Sequence, residues 1–136
     1  MAGYSGTPLW KKLGIKPGHV VLLVDAPDGF EDTLTGMPDD VRIERGGHGK
    51  SPVDVLVVFV KDRAAMQKRF ASAMARMKPD SGLWFAWPKK ASGVKTDLTE
   101  DVIRDAALAV GLVDNKVCAI DEVWSGLRVV VRLKDR

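Results

Sequence analysis

The residues with most chemistry to offer form one short run. Trp87-Pro88-Lys89-Lys90 puts two ammonium groups directly behind an apolar segment, and Lys61 and Lys95 add positive potential. Lysines gathered at one end of a sheet make a site for an anion, either a small anionic ligand or an acidic protein partner. Asp97 could orient one of those lysines, or it could help to start the helix that follows it. The plainer reading is two solvated lysines after a buried strand, and exposed lysine pairs are common enough to give that reading more weight. The candidate ligand-binding set is therefore Lys61, Trp87, Lys89, Lys90 and Asp97.

Other groups offer less. His48, within Gly46-Gly47-His48-Gly49-Lys50-Ser51, is the one candidate general base, and no carboxylate stands nearby in sequence to orient it. That segment ends in Gly-Lys-Ser without the glycine spacing or following helix of a phosphate-binding loop, so it reads as a surface loop. Cys118 lies in an apolar run and reads as an inert core thiol. Asp121 and Glu122 are adjacent on an expected strand, where neighbours point to opposite faces. One cysteine and two histidines are a poor supply for a metal site, and neither metal nor cofactor is expected. Against 21 basic residues stand 18 acidic ones, a net charge of +3, which permits anionic partners without demanding them. Lys68, Arg69, Arg76 and Lys78 could contact nucleic acid, but they serve equally as a solvated helix face.

These groups need elements to position them. A chain of 136 residues is one ordinary domain's worth, and 1–136 is read as a single α/β domain. A hydrophobic share of 46% with 29% charged residues is that of a globular chain, and no apolar run reaches the roughly 18 to 20 residues of a membrane span. The start of the chain lacks a basic-then-apolar export pattern, so a cytoplasmic location is expected.

Val20–Val24, Val53–Val60 and Leu83–Trp87 are nearly unbroken apolar runs, as in strands covered on both faces. A short helix around Leu9–Leu13 precedes the first, opened by Pro8 and closed by Gly14. Met66, Phe70, Met74 and Met77 predict a helix over Ala64–Met77, and Pro79-Asp80-Ser81-Gly82 is expected to break the chain before the third strand. Thr99 caps a further helix with an apolar stripe of Val102, Ile103, Ala106, Ala107 and Val110, ended by Gly111. Val117–Val123 and Leu127–Leu133 read as a hairpin joined through Trp124-Ser125-Gly126. Val41–Glu44 is a weak strand. Too few residues separate it from Val53 for a crossover helix, so it is expected to pair antiparallel or lie outside the sheet.

The result is a three-layer α/β fold: a mainly parallel open sheet, a reduced Rossmann arrangement, with a C-terminal antiparallel hairpin. Ligands gather beyond the carboxyl ends of such strands. The first of those ends, Asp25-Ala26-Pro27-Asp28-Gly29, has a single late glycine and a proline that removes a donor, which disfavours a nucleotide or adenosylmethionine there.

In element order, Val53 to Leu133 resembles class I methyltransferase-like Rossmann domains, which carry a hairpin after their fifth strand; the front half is short by at least one strand–helix unit. Leu13-Gly14-Ile15-Lys16-Pro17-Gly18, Trp84-Phe85-Ala86-Trp87-Pro88-Lys89-Lys90, Thr96-Asp97-Leu98, Gly111-Leu112-Val113-Asp114-Asn115-Lys116 and Trp124-Ser125-Gly126-Leu127 together resemble the small bacterial domain-of-unknown-function family 3052. That resemblance implies a cytoplasmic, single-domain bacterial protein with no activity to transfer. It marks Trp87, Pro88, Lys89, Lys90, Asp97, Asp114, Lys116 and Trp124 without giving any of them a catalytic role.

A well-specified core without a complete nucleophile, metal or cofactor constellation points to a non-catalytic binding or regulatory module. The alternative is an enzyme acting on a small anionic substrate, with Lys89 or Lys90 stabilising charge and His48 or Asp97 moving a proton. Nucleic-acid association is a weaker third. Nothing in the sequence specifies an oligomeric state.

Overall fold

The three apolar runs become neighbouring parallel strands. In the computed structural model, which describes residues 6–46 and 49–136, β1 (Val20–Val24) pairs with β3 (Val53–Phe59), and β3 pairs with β4 (Met77–Pro88). Leu22 lies opposite Leu56, and Val57 opposite Trp84. Their carboxyl ends therefore share one rim, as expected.

The weak strand is where the outcome departs most. β2 (Arg42–Arg45) joins the sheet, and it runs parallel to β1, with Val21 opposite Ile43. Only positions 46–52 separate it from β3, too few residues for a crossover helix. Ile43 packs with the core and the Arg42 N–H donates to the His19 carbonyl (3.0 Å), which together place β2 at the sheet edge. The hairpin of β5 (Leu112–Ala119) and β6 (Trp124–Val131) adds antiparallel to β4, giving the order β2-β1-β3-β4-β6-β5.

Period-2 alternation divides the apolar side chains between two faces. On one face α2 (Arg63–Met74) and α3 (Glu100–Ala109) bring Met66, Phe70 and Ile103 onto Leu22, Val58 and Phe85. On the other, α1 (Leu9–Lys12) and the connection after β1 bring Phe30 and Leu34 onto Val57, Trp84 and Trp124, with Leu13 beside them. Trp84 and Trp87 point to opposite faces, as three-residue spacing requires, and both are buried.

Two boundaries differ from expectation. α2 stops at Met74 because Arg76 turns inward instead, its Nε donating to the Ser51 carbonyl (2.9 Å). The strand then begins at Met77, before the expected breaker. Ser81 Oγ donates to the Val53 carbonyl (2.5 Å) and accepts from the Lys78 N–H (2.8 Å), so the Pro79–Gly82 stretch is held in the sheet. The hairpin turn is not at Trp124-Ser125-Gly126 but at positions 120–123. There the Asp121 carboxylate accepts from the N–H groups of Val123 (2.8 Å) and Trp124 (2.9 Å), an Asx-type turn. Gly126 is a strand residue, opposite Ala86 and Cys118, and glycine fits there because a Cβ would lie 2.9 Å from Ile120 Cδ1 and 3.0 Å from Trp84 Cε3. Among the described residues no helix is long and apolar enough to cross a membrane.

Candidate anion-binding rim

At the carboxyl ends of β3 and β4 the chain must turn into α2 and α3, and the side chains of those turns build the rim. Asp62 is the N-cap of α2, its carboxylate accepting from the Ala65 N–H (2.8 Å). Asp97 was expected to orient a lysine or start the following helix, and it does neither. Its carboxylate reaches back to accept from the Arg63 N–H (2.9 Å), a second cap on α2, while Thr99 caps α3 through the Val102 N–H (3.2 Å). Both acids thereby satisfy N–H groups that the first turn of a helix leaves open.

Lys61, Lys90 and Lys95 line the same place, a broad and open depression of about 750 Å³ shared with Asp62, Val94 and Asp97. Among the described residues none of the three lysines forms an ion pair; the carboxylates beside them are held by backbone N–H groups. The positive end of the α2 dipole opens at the same point.

Lys61, Lys90 and Asp97 are thus brought together, and two other members of the expected set are not. Trp87 is 7% exposed and packs in the α2–α3 core, because alternation along β4 turns it beneath the helices instead of out to the rim. Lys89 is half-buried outside the depression. Its N–H donates to the Val123 carbonyl (2.7 Å), and its own carbonyl accepts from Ser92 Oγ (2.6 Å), so its backbone ties the end of β4 to the hairpin turn. His48 falls outside the described residues. Cys118 is half-buried and its thiol is pushed up by burial, with Lys12 and Lys116 pulling the other way, which leaves it a poor nucleophile. Asp114 and Lys116 straddle a β-bulge and do not pair; Asp114 takes the Arg104 guanidinium (2.9 Å), and Lys116 Nζ donates to the Lys12 carbonyl (2.9 Å). Among the described residues no three His, Cys, Asp or Glu side chains converge as a metal site would require.

The strand order reverses between β1 and β3, and at such a switch point an open α/β sheet takes its ligand. On the α1 side this point is filled. Phe30 and Phe59 meet edge to face at 5.0 Å, as do Phe59 and Trp124. After β1 there is no full helix; Asp25 adopts φ 57° and the chain makes a 3-10 turn over Phe30–Thr33. Arg45, the last residue of β2, donates to both Glu31 carboxylate oxygens (2.6 and 2.8 Å) and to the carbonyls of Ala26 (3.1 Å) and Pro27 (2.8 Å). That guanidinium holds the Glu31 carboxyl well below its ordinary range, at about 2. On the α2 side a pocket of about 230 Å³ has a floor of Leu22, Val24 and Val58, with an Asp25–Arg69 pair (2.9 Å) among its polar groups. It is smaller than the roughly 300–1,000 Å³ usual for a ligand cleft. Nothing in the sequence signals the Arg45–Glu31 pair, whose members belong to different elements.

No family model matches the chain, and no curated protein matches it. Solved structures do. A candidate methyltransferase from Thermoplasma acidophilum superposes with a TM-score of 0.59 at 12% identity, over 93% of this chain and 75% of the other. A TehB-like SAM-dependent methyltransferase from Corynebacterium glutamicum gives 0.57 at 10% identity, over 96% and 91%. The glycopeptide N-methyltransferase MtfA gives 0.57 at 11% identity, over 86% and 85%. At such identities the likeness is one of fold alone: a Rossmann-like α/β architecture.

That fold implies adenosylmethionine, and the residues present do not fit it. A nucleotide-type ligand needs a glycine-rich turn and a helix N-terminus after the first strand, and an acidic group near the end of the second for its ribose. Here the turn has one glycine and Arg45, the last residue of β2, closes over it onto the Ala26 and Pro27 carbonyls, while the acidic residue near the end of β2, Glu44, is paired with Arg76 (3.3 Å).

Proposed function

We propose that this chain is a binding module on a reduced methyltransferase-type scaffold, holding an anionic ligand or an acidic protein segment at its lysine rim without adenosylmethionine. One observation carries the reading: Lys61, Lys90 and Lys95 share a depression in which both carboxylates are occupied by the N-terminus of α2. Its three lysines stand against two carboxylates, and those carboxylates are turned onto the α2 N-terminus instead of onto the lysines, so the depression keeps a small positive excess with its ammonium groups available. The open shape suits an extended or multiply charged partner better than an enclosed small molecule.

The test is a Lys61→Ala, Lys90→Ala, Lys95→Ala triple variant assayed with citrate and a polyglutamate peptide. Exposed lysines contribute little to folding, so its melting temperature stays close to that of the parent. The parent binds at least one probe, and the variant binds it tenfold or more weakly. Equal binding by the two proteins removes the rim from consideration.

Methyl transfer from adenosylmethionine is the second reading. The descriptions of the fold neighbours support an enzyme more than they support a module without chemistry. The filled switch point and the Arg45–Glu31 pair weigh against it. Calorimetry with adenosylmethionine and adenosylhomocysteine separates the two: saturable binding favours the enzyme, and its absence favours the anion-binding module.

A further inference from the structure

A second group of positive charges lies away from the rim, on the α1 side of the hairpin half of the sheet. Arg128 sits mid-strand in β6, with Trp84 opposite it on β4 and Lys116 opposite it on β5. Its guanidinium lies along the sheet over Gly82, where a Cβ would come within 2.9 Å of Arg128 Cζ. The other arginines that the fold draws inward have acceptors: Arg76 reaches Ser51 and Glu44, and Arg104 reaches Glu100, Asp101 and Asp114. Arg128 differs. Among the described residues its buried Nε has no hydrogen-bond partner and no carboxylate pairs with it.

The surrounding charges make this worse. Burial and the nearby Arg136 both disfavour the charged guanidinium, and its cross-strand neighbour is another cation, Lys116. Like charges directly opposite in a sheet destabilise it, and a buried N–H without an acceptor does so again. Among the described residues nothing offsets either cost; Nε is sealed against Gly82, so an external acceptor would have to meet the terminal N–H groups of the guanidinium and balance its charge there.

We propose that Arg128, with Lys116 and Arg136, binds a phosphate group on this face of the sheet. Lys116 Nζ donates to the Lys12 carbonyl (2.9 Å) and Arg136 Nε to the Val131 carbonyl (2.9 Å), but each keeps its charge and further N–H donors. The three cations therefore match a dianion better than a single carboxylate, and the planar Arg128 guanidinium offers terminal N–H donors suited to phosphate oxygens. Gly82 belongs to the site because its missing side chain lets the guanidinium lie against the strand. The assignment is independent of the lysine rim, which lies beyond the carboxyl ends of β3 and β4.

The experiment measures melting temperature in inorganic phosphate, pyrophosphate and phosphoserine, against sodium chloride and acetate at matched ionic strength. The parent gains several degrees in at least one phosphate compound and no comparable gain in the controls. The three compounds distinguish free phosphate, a polyphosphate and a phosphorylated side chain as sources. Arg128→Met melts at or above the parent without phosphate, because the unpaired charge is gone, and it loses the phosphate gain. Gly82→Ala and Arg136→Gln retain Arg128 but respond more weakly, and they carry the test if Arg128→Met fails to fold. Four results overturn the proposal: no gain beyond the controls, a gain retained in Arg128→Met, an unchanged gain in both Gly82→Ala and Arg136→Gln, or a gain abolished by the rim triple variant.

Discussion

The guanidinium of Arg45 grips the carboxylate of Glu31 with two hydrogen bonds, Nε to Oε2 at 2.6 Å and a terminal nitrogen to Oε1 at 2.8 Å. The same side chain also holds the Ala26 and Pro27 carbonyls. One arginine at the end of β2 therefore organises the turn after β1, which in a nucleotide-binding sheet would face the ligand. The chain's own groups stand where a ligand's would.

The Glu31 carboxyl titrates at about 2 in the folded protein, against an ordinary value of 4.5, with the Arg45 hydrogen bonds as the main cause. A depressed folded value means that the pair stabilises the protein fully above the ordinary value and loses that effect as pH falls towards 2. Glu31→Gln is expected to be less stable than the parent at pH 7, by a margin that narrows below about pH 4.5. Urea unfolding at a series of pH values measures it. A margin that stays constant down to pH 2 contradicts the assignment.

Gly126→Ala tests the packing beneath the hairpin. Its new methyl group would meet Ile120 and the Trp84 ring, both buried and neither free to withdraw. Overpacking of this kind costs about 1–3 kcal/mol. Denaturant midpoints for parent and variant provide the measurement, and a neutral result would mean that the turn after Ile120 can shift.

Asp97→Ala removes the second cap from α2 and frees the loop that carries Lys95. Loss of a capping carboxylate costs about 0.5–2 kcal/mol, and the Arg63 amide should exchange its hydrogen faster. Amide exchange resolves this directly. Protection at Arg63 equal to that in the parent would show that Asp97 is not its acceptor in solution.

Part of the rim was legible before folding. Lys61 and Lys90 follow strands whose unbroken apolar character announces burial on both sides, and parallel neighbours must end on the same side of the sheet. Trp87 was not, since the parity of a strand residue identifies two faces without saying which one is covered at that height. Lys89 was misplaced by its neighbour's logic: a lysine beside a lysine on a turning chain does not point the same way. The hairpin turn was placed late because Gly126 looks like a turn residue, whereas the Asp121 carboxylate makes the turn and the glycine answers to crowding from Trp84.

The amino-acid sequence by itself determined the apolar runs that became β1, β3 and the core of β4, the helix that Thr99 begins, and the absence of a glycine-rich turn after β1. Each is a pattern within a few residues, where backbone preference and burial act locally. Tertiary structure alone decided that β2 runs parallel, that Asp97 caps a helix 34 residues upstream, that Arg45 closes on Glu31 and that Arg128 Nε is buried without a hydrogen-bond partner among the described residues. Those outcomes depend on which strands become neighbours, because a side chain's partners are set by sheet order and register, and residues distant in sequence supply them.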